Sequence, residues 1–132
     1  MKYISKSQKQ TETIGFEFSK TLKGGDVVLL QGDLGAGKTA FTKGIAKGLN
    51  VKEEITSPTY AYMNDYHGVL YHYDCYRLTS GEDAEALGLT DYFYANGVSV
   101  IEWSDNIKSV LPKDVIIVTI NKISKNKREI II

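Results

Sequence analysis

The chain has 132 residues, 42% apolar and 24% charged, with sixteen basic side chains set against sixteen acidic ones for a net charge of zero. That length suits one hydrophobic core and is short for two, so one folded domain over residues 1–132 is expected, neither disordered nor membrane-spanning. The balanced charge excludes a global basic field of the kind that drives DNA or RNA binding by counterion release, leaving only a local patch or a partner to connect the chain with RNA.

The one cysteine, Cys75, cannot form an internal disulfide, and the opening stretch MKYISKSQKQTETIG is too polar for a signal peptide. A cytoplasmic location is the expectation. Only Arg77 and Arg128 among the basic residues are arginines, few for an enzyme that clamps several phosphates at once with planar guanidinium groups.

In chain order, Ser7 and Gln10 have capping-box spacing, and Ile14, Phe18 and Leu22 recur at helical period until Gly24 and Gly25, which predicts a first helix. Val27 to Leu30 form a continuous apolar run, as in a strand covered on both faces. This run enters a glycine loop directly, and beyond the loop Phe41, Ile45 and Leu49 give a helix with one apolar stripe. The segments TSPTYAYMNDY and VLYHYDCY read as a β-hairpin turning at His67-Gly68. GEDAEALGL and TDYFYAN read as short helices, with Thr90 as an N-cap and Asn96-Gly97 as a stop. VSVIEW, DVIIVTI and REIII read as strands. Strands alternating with helices predict an α/β sandwich around a mainly parallel sheet, with the hairpin as an addition.

Gly32-Asp33-Leu34-Gly35-Ala36-Gly37-Lys38-Thr39 satisfies G-x-x-x-x-G-K-[ST], and its flanks are the strand and helix that a phosphate-binding P-loop requires. Its glycines allow successive backbone N–H groups to point inward around phosphate oxygens, where the helix N-terminus adds positive potential. Lys38 then reaches the terminal phosphates and the Thr39 hydroxyl ligates magnesium.

Phosphate-bound magnesium also needs a carboxylate, commonly at the C-terminal end of a neighbouring apolar strand. Glu102 ends VSVIEW and Asp74 ends VLYHYD. Glu102 follows the more buried run and is favoured as the metal ligand, leaving Asp74 to orient water or sense the γ-phosphate. Asp33 either faces solvent or contacts the metal shell, and Asp65 reads as hairpin surface. In ITSPTY, Pro58 holds Ser57 extended beside a cluster of hydroxyls, a pattern like the switch segments that order around a γ-phosphate. His72, flanked by two tyrosines on a strand, reads as a packed histidine with one satisfied hydrogen bond. His67, His72 and Cys75 have no metal-ligand spacing.

The segment NKIS (121–124) lacks the aspartate of a guanine-reading Asn-Lys-x-Asp loop, so ATP is favoured over GTP. Two chemistries share such a site: a slow ATPase coupled to a conformational switch, and a small-molecule kinase. The scarcity of arginines and the lack of room for an acceptor-binding lid favour the first.

GDLGAGKTAF, SPTY, YHYDCYRL and IEWSD, in this order between Thr11 and Asp105, resemble the TsaE (YjeE) family of bacterial P-loop ATPases. The resemblance implies a small α/β ATPase of the P-loop NTPase type, needed for threonylcarbamoyl modification of adenosine 37 in tRNAs that read ANN codons. It implies ATP and Mg2+ as cofactors, the TsaB–TsaD heterodimer as partner, and contact with tRNA indirectly through that complex, without DNA or membrane. Carried over by position, Gly35, Ala36, Gly37, Lys38, Thr39 and Ala40 hold the nucleotide phosphates. Thr39 and Glu102 serve magnesium, and Lys38, Asp74 and Glu102 form the catalytic set. Thr11, Asp105 and Arg128 are further nucleotide contacts, with Lys127 the alternative to Arg128. Trp103 either walls the site or belongs to the core. Ser104 stands where the family often has proline, and Cys75 where an aliphatic residue is common.

Overall fold

The computed structural model describes residues 1–33, 35–58 and 61–132. Seven strands form one mixed sheet: β1 (Lys2–Ser5), β2 (Val27–Gln31), β3 (Met63–Tyr66), β4 (Leu70–Asp74), β5 (Val98–Glu102), β6 (Ile116–Lys122) and β7 (Arg128–Ile131). Their order across the sheet is β1-β7-β6-β2-β5-β4-β3. The four central strands run parallel, with β2 between β6 and β5 and β4 beyond β5. Antiparallel strands extend both sides, β7 and β1 on one and the hairpin strand β3 on the other.

The run Val27 to Leu30 is buried along its whole length because both sheet faces are covered. Val28 and Leu30 point into a core shared with Phe41, Ile45 and Phe18, under helices α1 (Gln8–Ser19) and α2 (Lys38–Gly48). Val27 and Leu29 point the other way, into a second core with Tyr73, Cys75, Ile101, Leu89 and Ile107. That face is covered by the short helix α3 (Gly81–Ala86) and by 3-10 segments at Leu89–Tyr94 and Ser104–Val110. An α/β layer structure follows from this alternation.

The Ser7 side chain accepts from Gln10 N–H as its spacing predicts, whereas the Gln10 side chain accepts from Lys6 N–H, one residue before the cap. Helix α1 stops at Ser19, short of Leu22, because the next three N–H groups bond three residues back and tighten the end into a 3-10 turn. Leu22 still packs against the core from beyond the helix. The hairpin turns where expected, His67 and Gly68 both having positive φ (59° and 69°), as primed hairpin turns need.

One local expectation is corrected, and one strand lies where none was expected. Thr90 is not an N-cap but lies within a 3-10 segment, which starts from the left-handed Gly88 (φ 75°). Strand β1 was not foreseen, because Tyr3 and Ile4 are two strand-forming residues in a run of only four, too short a signal until β7 offers them an edge. Among the described residues, no helix is long and apolar enough to cross a membrane.

Candidate nucleotide site

Strand β2 delivers the chain to the C-terminal edge of the parallel sheet, where the glycine loop turns it into α2. Gly32 has φ 146° and passes so close to β6 that a Cβ there would lie 2.3 Å from the Ile120 carbonyl oxygen. Gly37 occupies the N-cap of α2 in left-handed geometry (φ 107°, ψ 18°), and no side chain caps the helix. The first N–H groups of an α-helix have no intrahelical partner. Here that uncapped end opens on a cleft of about 390 Å³ lined by Gly35, Gly37, Lys38, Thr39 and Ala40. The volume suits a small ligand, for which about 300–1,000 Å³ is usual.

Lys38 is only 6% exposed although it carries an ammonium group. Its Nζ donates to the Gly32 carbonyl at 2.8 Å, lies 3.9 Å from Glu102 Oε1, and sits 4.5 Å from the centre of the Trp103 ring. Asp74 and Glu102 are register partners on β4 and β5, so both acids stand side by side at the strand ends facing the cleft. Asp74 Oδ1 accepts from Tyr76 N–H at 3.0 Å. The second oxygen of Glu102, Oε2, accepts a 2.8 Å hydrogen bond from Nε2 of the wholly buried His72. Trp103 leaves β5 in the left-handed region (φ 59°, ψ 41°). Its ring meets Tyr76 edge-on, with centroids 4.9 Å apart, and forms part of the cleft wall.

The far wall comes from the N-terminus of α1 and from the β6–β7 loop, through Ser7, Gln8, Thr11, Lys125, Asn126 and Arg128. The Thr11 hydroxyl is buried and shares a 2.8 Å hydrogen bond with Ser5 Oγ, so β1 positions it. Arg128 donates from Nε to the Ala36 carbonyl at 2.9 Å and from its terminal nitrogens to the carbonyls of Gly35, Ser124, Lys125 and Lys127. One guanidinium thus joins the glycine loop to the β6–β7 loop.

The cleft therefore brings together Thr11, Gly35, Gly37, Lys38, Thr39, Ala40, Asp74, Glu102 and Arg128. Ala36 is fully buried and contributes its carbonyl to Arg128. Asp105 is exposed at the start of the Ser104–Val110 segment and is not among the cleft-lining residues. Ser57 reaches the cleft, while Thr59 and Tyr60 of the switch-like stretch lie outside the described residues, as does Leu34 of the loop. Asp33 and Asp65 are exposed. Cys75 follows Asp74 with its side chain in the core of the opposite sheet face, where burial, helped by the charges of Asp74 and Glu102, pushes its thiol up to about 12.

Sequence reasoning did not single out Gln8, Lys125 or Asn126 as cleft residues, since nothing local marks the loop after β6 as folding back over the glycine loop. His72 is, as expected, a buried histidine with one satisfied hydrogen bond; what the local sequence left unnamed is its partner Glu102, although period-two spacing from Asp74 places His72 on the face of that acid.

The family model described as "Threonylcarbamoyl adenosine biosynthesis protein TsaE" matches residues 5–130. A tRNA threonylcarbamoyladenosine biosynthesis protein TsaE from Treponema pallidum is 43% identical over 132 residues, which cover 98% of this chain and 98% of that protein. Its counterpart from Bacillus subtilis is 39% identical over 133 residues, covering 98% and 83% respectively. The crystal structure of Bacillus subtilis YdiB is similar with a TM-score of 0.78 at 37% identity, covering 98% of this chain and 82% of that one.

Proposed function

The chain belongs to the TsaE family, a P-loop-type nucleotide-binding family of tRNA threonylcarbamoyladenosine biosynthesis, and from that premise we propose that it is the ATP-hydrolysing component of this modification. The observation that carries the reading is the convergence of an uncapped helix N-terminus, a buried lysine and two register-paired carboxylates on one cleft. The N–H groups at Gly35 to Ala40 bind phosphate oxygens, and Lys38 exchanges its present partners for the terminal phosphates. The Thr39 hydroxyl and the Glu102 carboxylate hold magnesium. Two hard oxygen donors lining one cleft would fit that ion. Bound there, magnesium neutralises charge on the phosphates. Asp74, free of that duty, orients the attacking water or senses the γ-phosphate, and Thr11 and Arg128 complete the nucleotide contacts.

The protein acts in the cytoplasm on tRNAs reading ANN codons, at adenosine 37, and meets tRNA through the TsaB–TsaD heterodimer. The chain has only two arginines, and one of them, Arg128, is committed to backbone carbonyls of two loops, which supports slow hydrolysis alone and faster turnover in the complex. The test is ATP hydrolysis by the purified chain, alone and with TsaB–TsaD, with Lys38→Ala as control. Partner-dependent turnover abolished by that substitution is the expected result. Turnover indifferent to partners, with phosphate moving to a small acceptor, would make the protein a kinase.

A further inference from the structure

Strand alternation places Leu70, His72 and Asp74 on one face of β4, the face on which Val98, Val100 and Glu102 of β5 also lie. His72 is opposite Val100 in the register, and Glu102 is its diagonal neighbour, within reach of a long side chain. A fully buried position between Leu70 and the strand end favours an apolar residue if packing alone is served, because a buried polar ring must be compensated. The compensation here goes to one place. His72 Nε2 donates to Glu102 Oε2 at 2.8 Å, and His72 Nδ1 has no partner among the described residues.

The Glu102 carboxylate is thereby divided between two neighbours. Oε2 is held from below by the imidazole, and Oε1 is turned toward the cleft, 3.9 Å from the Lys38 ammonium. A carboxylate fixed at one oxygen loses the freedom to rotate about its terminal bond, so the other oxygen is presented in one direction. Partners behind a metal ligand commonly act in this way, and losing one typically costs about 10–100-fold in metal affinity.

We propose that His72 is a positioning residue, which holds Glu102 so that Oε1 faces the metal and phosphate position. The proposal rests on the reading of Glu102 as the magnesium ligand. His72 touches neither nucleotide nor metal, and acts through the carboxylate alone.

The experiment measures Mn2+ binding by electron paramagnetic resonance, with the full-length protein saturated by a non-hydrolysable ATP analogue, beside calorimetric affinity for that analogue in EDTA. His72→Leu removes the donor. His72→Asn keeps a buried amide too short to reach Glu102, and His72→Gln places an amide N–H near the position of Nε2. The expected result is about tenfold weaker Mn2+ binding in His72→Leu and His72→Asn, near-native binding in His72→Gln, and unchanged nucleotide affinity without metal. If His72→Leu fails to fold by circular dichroism, the Asn and Gln pair decides. Equal loss in Asn and Gln overturns positioning in favour of packing. Native Mn2+ binding in the His72 variants, with loss in Glu102→Gln, overturns positioning and leaves the metal reading standing. Native binding in Glu102→Gln overturns the metal reading and the role of His72 together.

Discussion

The ammonium of Lys38 lies 4.5 Å from the centre of the Trp103 ring, close enough for a cation–π contact, while it donates to the Gly32 carbonyl. If the proposed role of Lys38 holds, phosphate binding draws the ammonium out of this arrangement. Trp103 is the single tryptophan of the chain, so its fluorescence, excited at the red edge where tyrosine does not absorb, reports that event without another indole. Addition of ATP is expected to change the emission, and nucleotide-free Lys38→Ala is expected to show the changed spectrum already. Superimposable spectra for the nucleotide-free native and Lys38→Ala proteins would mean that the indole does not sense the lysine.

Arg128 spans 92 residues of sequence to reach the Ala36 carbonyl, and it also holds carbonyls of the β6–β7 loop. A planar guanidinium with several fixed donors can serve both loops at once, and a lysine cannot. Arg128→Ala and Arg128→Lys are both expected to weaken ATP binding by about tenfold or more, the scale of one charge-assisted hydrogen bond, about 1.5–3 kcal/mol. Hydrogen exchange should rise together in the glycine loop and in residues 122–127. A rise confined to one of the two would show that Arg128 does not couple them.

The central strands and the glycine loop were legible because their signals are local: a run of apolar residues buried on both faces, then glycines at fixed spacing. Asp74 and Glu102 were legible as strand ends, although their side-by-side register is set by how β4 and β5 align. The wall formed by Gln8, Lys125 and Asn126 was not legible. It depends on where a hairpin loop folds relative to a helix far away in sequence, and no local preference encodes that. The 3-10 geometry around Thr90 was hidden for a related reason, since Gly88 can start or stop a helix and tertiary packing of Leu89 and Phe93 decides which. His72 shows the limit most clearly, because its spacing gave the face but only the fold supplies Glu102 as partner.

Asp74 and Glu102 are neighbours in the register, yet they meet different groups, Tyr76 N–H for the first and His72 with Lys38 for the second. Different roles are expected to separate in binding and turnover. Glu102→Ala should lose the magnesium-dependent part of ATP binding. Asp74→Ala should bind MgATP normally and hydrolyse it roughly 100-fold more slowly, as for a lost proton-handling or water-orienting group. Calorimetry with and without magnesium, beside single-turnover hydrolysis, checks both, and the opposite pattern would exchange the roles.

Helices α1 and α2 approach so closely that a Cβ on Gly44 would lie 2.0 Å from the Glu12 carbonyl oxygen and 2.8 Å from Phe16 N. Backbone atoms cannot move aside without separating the helices. Gly44→Ala is therefore expected to destabilise the fold by about 2–3 kcal/mol, at the upper end of overpacking costs. Gly48→Ala should cost less, because once the Ser19 hydroxyl rotates away the remaining obstacle is the Ser19 Cβ at 2.6 Å, against a backbone carbonyl oxygen at 2.0 Å for Gly44. Urea denaturation of the two variants checks the order, and equal losses would contradict it.

Cys75 has a fully buried thiol whose ionisation is pushed from 9.0 up to about 12, chiefly by burial and further by the charges of Asp74 and Glu102. The raised value means that the folded state holds the thiol proton where the unfolded state releases it. This contribution to stability is fully present below pH 9 and is lost as pH rises from there toward 12. In the folded protein at pH 8 the thiolate is scarce and enclosed, so a disulfide-exchange reagent is expected to label Cys75 only at the rate of unfolding or local opening. In denaturant at the same pH, labelling should be complete within the mixing time of a manual assay. Raising the pH of the folded protein to 9 should leave the rate almost unchanged if opening limits the reaction. A rate in the folded protein close to that in denaturant at the same pH would show a thiol in contact with solvent, and the core around it would then be open.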